Sequence, residues 1–264
     1  MTYQTIEIER HDAVARIFMN RPGARNAQNT QMLDELDAAF ASLGEDATVR
    51  VVVLAGRGEH FCAGHDLKET REEKGMLNTE GHWQYEERRY VGYCLKILDF
   101  PKPTICQVQG GCIAAGFAVA NMCDLIVASE DAYFSDPTLA SLSAASLEVL
   151  IHPWVLGMRK AKELLFTGER LGAAEALQIG MINRMVPKQE LDEATMALAH
   201  KIAKNAPFAT RLTKRSLNRT MEIQGLKAAL SAHFDLHQLS HTTDEFAEFR
   251  RRGVANVISQ VAKS

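Results

Sequence analysis

The chain has 264 residues, 46% of them hydrophobic and 24% charged, with a formal net charge of −3. That balance supports a sizeable folded core and gives no electrostatic reason to expect nucleic acid or an anionic membrane surface as partner. Met1-Thr2-Tyr3-Gln4-Thr5 lacks the basic-then-apolar profile of a signal peptide, and the apolar stretch from Cys112 to Cys123 is interrupted by Gly116 and Asn121. Five cysteines are scattered without a C-x-x-C pair, each in an apolar neighbourhood. These features lead to the expectation of a cytoplasmic protein with buried free thiols and no disulfide framework or zinc site.

In chain order, Thr5–Glu9 and Ala13–Met19 alternate around Arg10-His11-Asp12 and predict a β-hairpin. Thr30 is the expected N-cap of an amphipathic helix carrying Leu33, Leu36, Phe40 and Leu43 on one face and ending at Gly44. Val49–Ala55 is a near-continuous apolar run, as in a strand covered on both faces. A glycine-rich loop, Gly56 to Leu67, leads into a polar stretch whose second half places Trp83, Glu87, Tyr90 and Cys94 at helical spacing. Thr104–Val108 is the next strand, and Gly110-Gly111 then opens an expected helix to Met122. Strands follow at Leu125–Ser129, Tyr133–Phe134 and Ile182–Val186, with helices at Met158–Thr167, Ala173–Ile179, Leu191–Lys204, Thr210–Glu222, Leu226–His241 and Glu245–Arg252. The pattern divides the chain into an α/β core over residues 1–190 and a helical region over 191–264.

Two segments share one form: a buried strand that ends in small residues. Val51-Val52-Val53-Leu54 feeds Phe61-Cys62-Ala63-Gly64-His65-Asp66-Leu67-Lys68, and Thr104–Val108 feeds Gly110-Gly111-Cys112-Ile113-Ala114-Ala115-Gly116. Small residues permit close backbone approach, and N–H groups at such places receive developing negative charge. Taken singly, either loop reads equally as a tight turn using glycine for packing. The sequence contains no dinucleotide fingerprint, G-x-S-x-G elbow or Walker A motif.

The stretch VVVLAGRGEHFCAGHDLK, Val51 to Lys68, resembles the first oxyanion loop of the enoyl-CoA hydratase/isomerase (crotonase) superfamily. Gln107 to Phe134 resembles that family's second signature. Asn20-Arg21-Pro22 with Asn26-Ala27, Leu165-Phe166-Thr167-Gly168 and Ala173–Val186 match in family order. The resemblance implies an α/β, ClpP-like spiral of ββα units, with C-terminal helices mediating assembly into a homotrimer or dimer of trimers. It implies an acyl-CoA thioester as substrate, with coenzyme A as part of that substrate and no metal or other cofactor.

Residue by residue, the resemblance puts the two oxyanion N–H groups on His65 and Ala115. It puts the coenzyme A portion near Ala24, Arg25, Ala63, Gly64, Asp66, Leu67 and Lys68, with Gly111 in the second loop and Tyr85 in the acyl-pocket wall. Family hydratases use two glutamates, one activating water and one managing the α-carbon proton. The corresponding positions here are Ala118 and Thr138. Substitute acids or bases are sought in Glu148, in His152 one helical turn beyond it, in Asp136, and in His82 or Tyr85. Asp136 is expected to point away from Thr138 if that segment is extended. His152 reads equally as a packing or capping residue, Glu148 as a helix-surface charge, and Arg250-Arg251-Arg252 as a solvated face.

Three functions follow from the resemblance. One is a hydratase/isomerase-like enzyme with a relocated acid–base set. The second is another reaction on the same hole, thioester hydrolysis or carbon–carbon cleavage. The third is an acyl-CoA-binding protein without chemistry.

Overall fold

The computed structural model describes residues 3–139 and 151–252, so Glu148 lies outside the described residues. In chain order the elements are β1 (Ile6–His11), β2 (Val14–Met19), α1 (Thr30–Glu45), β3 (Val51–Gly56), α2 (Thr79–Glu86), α3 (Tyr93–Leu98), β4 (Thr104–Val108), β5 (Gly111–Ile113) and α4 (Ala115–Met122). They continue with β6 (Leu125–Ser129), β7 (Tyr133–Ser135), α5 (His152–Leu156), α6 (Met158–Thr167), β8 (Leu171–Gly172), α7 (Ala173–Gln178) and β9 (Arg184–Val186). Four further helices follow: α8 (Leu191–Ala203), α9 (Pro207–Ile223), α10 (Leu226–Ser240) and α11 (Asp244–Arg252). A π-helical turn, Glu87–Gly92, joins α2 to α3.

Six strands form one sheet in the order β1-β2-β3-β4-β6-β9, and three form a second in the order β5-β7-β8. The first pairing, β1 with β2, is antiparallel, and the rest of the larger sheet is parallel. Every residue of β3 is buried, because both faces of the sheet are covered. On one face Val51 and Val53 pack with Ile105, Leu191, Ala199 and Ala203. On the other, Val52 and Leu54 join the core of Leu33, Leu36 and Phe40 from α1. Helix α8 therefore closes one side of the sheet that carries the first loop. Arg16 is the polar exception on β2, and its guanidinium reaches Asp192 at 2.5 Å and Glu9 at 2.8 Å.

The local corrections have local causes. Asn29, not Thr30, caps α1: its side chain accepts the N–H of Met32 at 3.1 Å, and the helix runs through Gly44 to Glu45. The single helix expected from Gly110 is a strand followed by a helix. Gly111 to Ala114 cannot begin a helix, because neighbouring chains hold its backbone. Cys62 N–H donates to Gly111 O, Ile113 N–H donates to Cys62 O, and Ala114 N–H donates to Ser135 O. Residues 182 and 183 likewise lie outside β9, where Asn183 instead caps the start of β6 through Ile126 N–H. Four cysteines, Cys62, Cys106, Cys112 and Cys123, are buried free thiols, while Cys94 is half-buried and free. No helix among the described residues is long and apolar enough to cross a membrane.

Gly116 shows how tightly the two loops are joined. A Cβ there would sit 2.7 Å from Cys62 O and 2.7 Å from Cys62 Cβ, and a backbone oxygen cannot move aside. Gly116→Ala is expected to destabilise the protein by about 1–3 kcal/mol through overpacking, read as a lower midpoint in chemical denaturation.

Candidate active site

The two glycine-bearing loops meet edge to edge. Cys62 and Cys112 form an isolated parallel bridge, and His65 and Ala115 each lie three residues beyond it. A second parallel bridge pairs Gln28 with His65: Gln28 N–H donates to Gly64 O at 2.8 Å and Asp66 N–H donates to Gln28 O at 2.9 Å. In such a bridge the central residue's own N–H faces away from its partner strand, so the His65 N–H is turned from Gln28. Ala115 is the first residue of α4, and its N–H has no acceptor within the helix. Gly64 lies between these groups: a Cβ on it would come 3.4 Å from Ala115 N and 3.1 Å from Ile113 O.

Asn26 holds the first loop from behind. It is buried, adopts φ 55°, and its amide donates to the carbonyls of Arg57, His60 and Phe61 at 2.9, 2.9 and 3.2 Å, while its oxygen accepts Arg21 N–H. His60 Nδ1 accepts Gly111 N–H at 3.0 Å, which requires the unprotonated nitrogen. Burial, with Arg25 nearby, pushes the His60 pKa below its ordinary value and favours that form.

Together the loops border a narrow pocket that opens to solvent, about 440 Å³ when the open solvent at its mouth is included. Its lining includes Gln28, His65, Tyr90, Tyr93, Ala115 and Ala118. The His65 ring stacks on Tyr90 with centroids 3.6 Å apart. Neither polar atom of the buried Gln28 amide makes a hydrogen bond of ordinary geometry, and the buried Tyr93 hydroxyl has no partner. Burial pushes the Tyr93 phenol well up, so it stays a neutral donor. Among the described residues lining this pocket there is no carboxylate, and Ala118 occupies the α4 wall.

The residues expected to hold coenzyme A come together in part. Ala63 N–H donates to Arg25 O at 3.0 Å, which joins Ala24–Arg25 to the rim formed by Ala63, Gly64 and Asp66. Arg25, Leu67 and Lys68 are exposed there. The Asp66 carboxylate is committed within the protein, to Arg21 at 2.9 Å and Lys68 N–H at 3.0 Å. Gly111 is buried beneath the rim, where a Cβ would meet the Tyr133 hydroxyl at 2.8 Å. Tyr85 does not line the pocket: its hydroxyl bonds Thr30 Oγ1 at 2.8 Å and its ring supports Tyr90 edge-on at 5.6 Å.

Asp136 does not point away from Thr138. Its Oδ1 accepts both the Thr138 hydroxyl and the Thr138 N–H, a local side-chain turn between residues two apart, which share a face even in an extended segment. His152 Nε2 lies 3.2 Å from Asp136 Oδ2, Asn121 Nδ2 lies 3.3 Å from His152 Nδ1, and Phe117 stacks on the imidazole. Asn121 can only donate to Nδ1, so Nε2 carries the proton toward Asp136. Burial alone would raise the Asp136 pKa; hydrogen bonds from His152 and Thr138 outweigh it and hold the carboxyl below its usual range. Parallel pairing of Ile113 with Ser135 brings this cluster beside the entry to α4.

His82 is not beside Ala115. It bonds Glu86 at 2.9 Å, in a separate buried cluster with His237 and His241. Burial opposes ionisation of Glu86, but hydrogen bonds from His237 and His82 outweigh it and hold the carboxyl below its usual range.

The Enoyl-CoA hydratase/isomerase family model matches residues 9–255. The chain belongs to that family. EchA13 of Mycobacterium tuberculosis is 40% identical over 256 residues, covering 90% of this chain and 80% of that protein. A short-chain-enoyl-CoA hydratase of Clostridium acetobutylicum is 34% identical over 224 residues, covering 84% of each chain. Among solved structures, an enoyl-CoA hydratase/isomerase from Xanthobacter autotrophicus superposes with a TM-score of 0.90 at 34% identity over 98% of both chains. The expected crotonase-type α/β fold with C-terminal helices is thus observed.

Gln28, Arg89 and Tyr93 were not singled out as site residues from the sequence. Gln28 sits next to the cap of α1 and carries no motif, and Tyr93 reads only as a helix residue, whereas Tyr90 belongs with His82, Trp83 and Tyr85 to the stretch whose resemblance implies the acyl-pocket wall, and it does line the pocket.

Ala114, between the second loop and α4, has φ 47° and ψ −117°, a conformation that favours glycine. Ala114→Gly is expected to raise stability by about 1 kcal/mol in a denaturation titration, because it relieves this strain without changing the loop's hydrogen bonds.

Proposed function

We propose that this protein binds an acyl-CoA thioester with its carbonyl oxygen between the N–H groups of His65 and Ala115, and moves protons at the polarised acyl chain. The observation that carries this reading is the Cys62–Cys112 bridge, which turns two loops far apart in sequence toward one pocket. Donors fixed by backbone pairing need no reorganisation as negative charge develops on the thioester oxygen, and one such donor contributes roughly 10²–10³ in rate. The rim of Ala24, Arg25, Ala63, Leu67 and Lys68 receives the coenzyme A portion, with Arg25 and Lys68 offering charge to its phosphates. No cofactor beyond the coenzyme A moiety enters the scheme.

The usual pair of glutamates is replaced at Ala118 and Thr138. The acid–base work passes to the Thr138 hydroxyl, backed by Asp136 and His152. The Thr138 oxygen takes a proton from water as its own hydroxyl proton passes to Asp136, so the threonine ends neutral and no alkoxide forms, while His152 holds Asp136 in place. The buried Tyr93 hydroxyl, without a hydrogen-bond partner among the described residues, supports an acyl group with a polar substituent. Exposed Phe208, Leu212, Leu217 and Ile223 on α9 support self-association through the C-terminal helices, in a trimer or dimer of trimers.

A second reading, an acyl-CoA-binding protein without chemistry, is favoured by the lack of a carboxylate among the described pocket-lining residues. The two are separated by incubating purified protein with a panel of acyl-CoA thioesters in D₂O and following α-carbon deuteration and product mass. Deuteration or turnover is expected, with hydration of a short enoyl-CoA slower than that of a two-glutamate enzyme by roughly 10²–10⁴. Asp136→Asn is expected to cut turnover by about 10² while leaving thioester affinity unchanged. Tight binding without exchange or turnover across the panel establishes the second reading. Turnover indifferent to Asp136→Asn removes the relay.

A further inference from the structure

Helices α2 and α10 bury a set of donor atoms that the proposed thioester chemistry does not use. Glu86 Oε2 lies 3.0 Å from His237 Nε2, His237 Nε2 lies 3.2 Å from His241 Nε2, and His241 Nε2 lies 3.9 Å from Glu86 Oε2. His237 and His241 are one turn apart, and their imidazoles share a helix face. At bond lengths of about 2.0–2.1 Å, two ligands of a tetrahedral Zn²⁺ ion are about 3.3 Å apart, close to the three edges of this triangle. We propose that Glu86, His237 and His241 form a site for a divalent transition-metal ion of the zinc type.

Proton counting supports a cation at this place. Two imidazole nitrogens 3.2 Å apart share at most one proton, and the same His237 nitrogen also faces Glu86. A metal ion satisfies all three lone pairs at once. The surroundings orient the carboxylate as an outer shell does. Gln238 Nε2 donates to Glu86 Oε2 at 2.7 Å. Arg71 lies 3.3 Å from His82 Nδ1 and can only donate, so His82 keeps its proton on Nε2 and donates to Glu86 Oε1 at 2.9 Å. Trp83 and Phe234 meet edge-on at 4.8 Å and hold the two helices together. The His241 side chain is 13% exposed and gives the ion a route from solvent.

The site would also reach the acyl pocket. Tyr90, four residues after Glu86, and Leu230 on α10 both line that pocket, so an ion joining α2 to α10 stiffens its outer wall.

The test uses untagged full-length protein dialysed against micromolar Zn²⁺, with bound metal measured by mass spectrometry. One ion per chain is expected, with affinity at least tenfold weaker in the His237→Ala/His241→Ala double variant and in Glu86→Gln. X-ray absorption at the zinc edge of the wild-type protein requires no variant and is expected to show nitrogen and oxygen donors at about 2.0–2.1 Å with imidazole scattering. The proposal is overturned by the absence of a stoichiometric ion, by binding unchanged in the folded double variant, or by a sulfur shell near ~2.3 Å.

Discussion

The structure depends on one short piece of backbone pairing. Cys62 and Cys112 face each other across a single parallel bridge, and through it Cys62 donates to Gly111 O and accepts from Ile113 N–H. Neither side chain contributes chemistry: Cys62 is fully buried, and desolvation pushes its thiol up to about 12. What matters is that both residues are small. Gly64 and Gly116 flank the bridge for the same reason: a Cβ on Gly116 would collide with Cys62, and one on Gly64, where φ is 92°, would crowd Ile113 O at 3.1 Å. The larger sheet delivers the first loop from β3 and the second from β4, and β5 within the second loop belongs to the smaller sheet, so the bridge also ties the two sheets together.

Such a contact would be loose if its neighbours were not themselves held. Asn26 spans three carbonyls of the first loop, and His60 takes Gly111 N–H from below. Buried carbonyls and N–H groups must find partners somewhere, and here the partners are Asn26 from the loop before α1 and His60 from the first loop itself. Loops otherwise tend to be the mobile part of a fold. These have their backbone groups taken from both sides, which is the condition for donors that keep their direction while charge builds on a ligand.

Much of this was legible in the sequence, for identifiable reasons. The β3 run is uniformly apolar because both its faces are covered, and α1 shows its stripe because only one face is. Glycine marked both loops because close approach excludes larger residues. The failures also share a cause. β5 is three residues long and exists only because Cys62 and β7, distant in sequence, pair with it, so no local pattern announces it. Asp136 is the exception: it meets Thr138 two residues on, where alternation along an extended segment already puts both side chains on one face, so that miss is one of reading and not of missing signal. His82-x₃-Glu86 and His237-x₃-His241 each display helical spacing, yet the sequence separation of 151 from Glu86 to His237 hides their meeting. A polar stretch with no visible partner reads as surface.

Helix geometry then explains how α2 serves two places. In an unbroken α-helix, Glu86 and Tyr90 would fall on one face, four residues apart. The π-helical turn at Glu87–Gly92 begins directly after Glu86 and contains Tyr90, and its wider turn shifts the azimuth of Tyr90 from the α-helical position. Glu86 can therefore face α10 while Tyr90 swings onto the His65 ring. A change in how firmly α10 grips Glu86 acts at the base of that turn, and Tyr90 is the residue that the turn aims. The stacked His65–Tyr90 pair is thus where the outer helices touch the first loop. The acyl-pocket wall is shaped there, beside the His65 N–H, and not at the loop glycines alone.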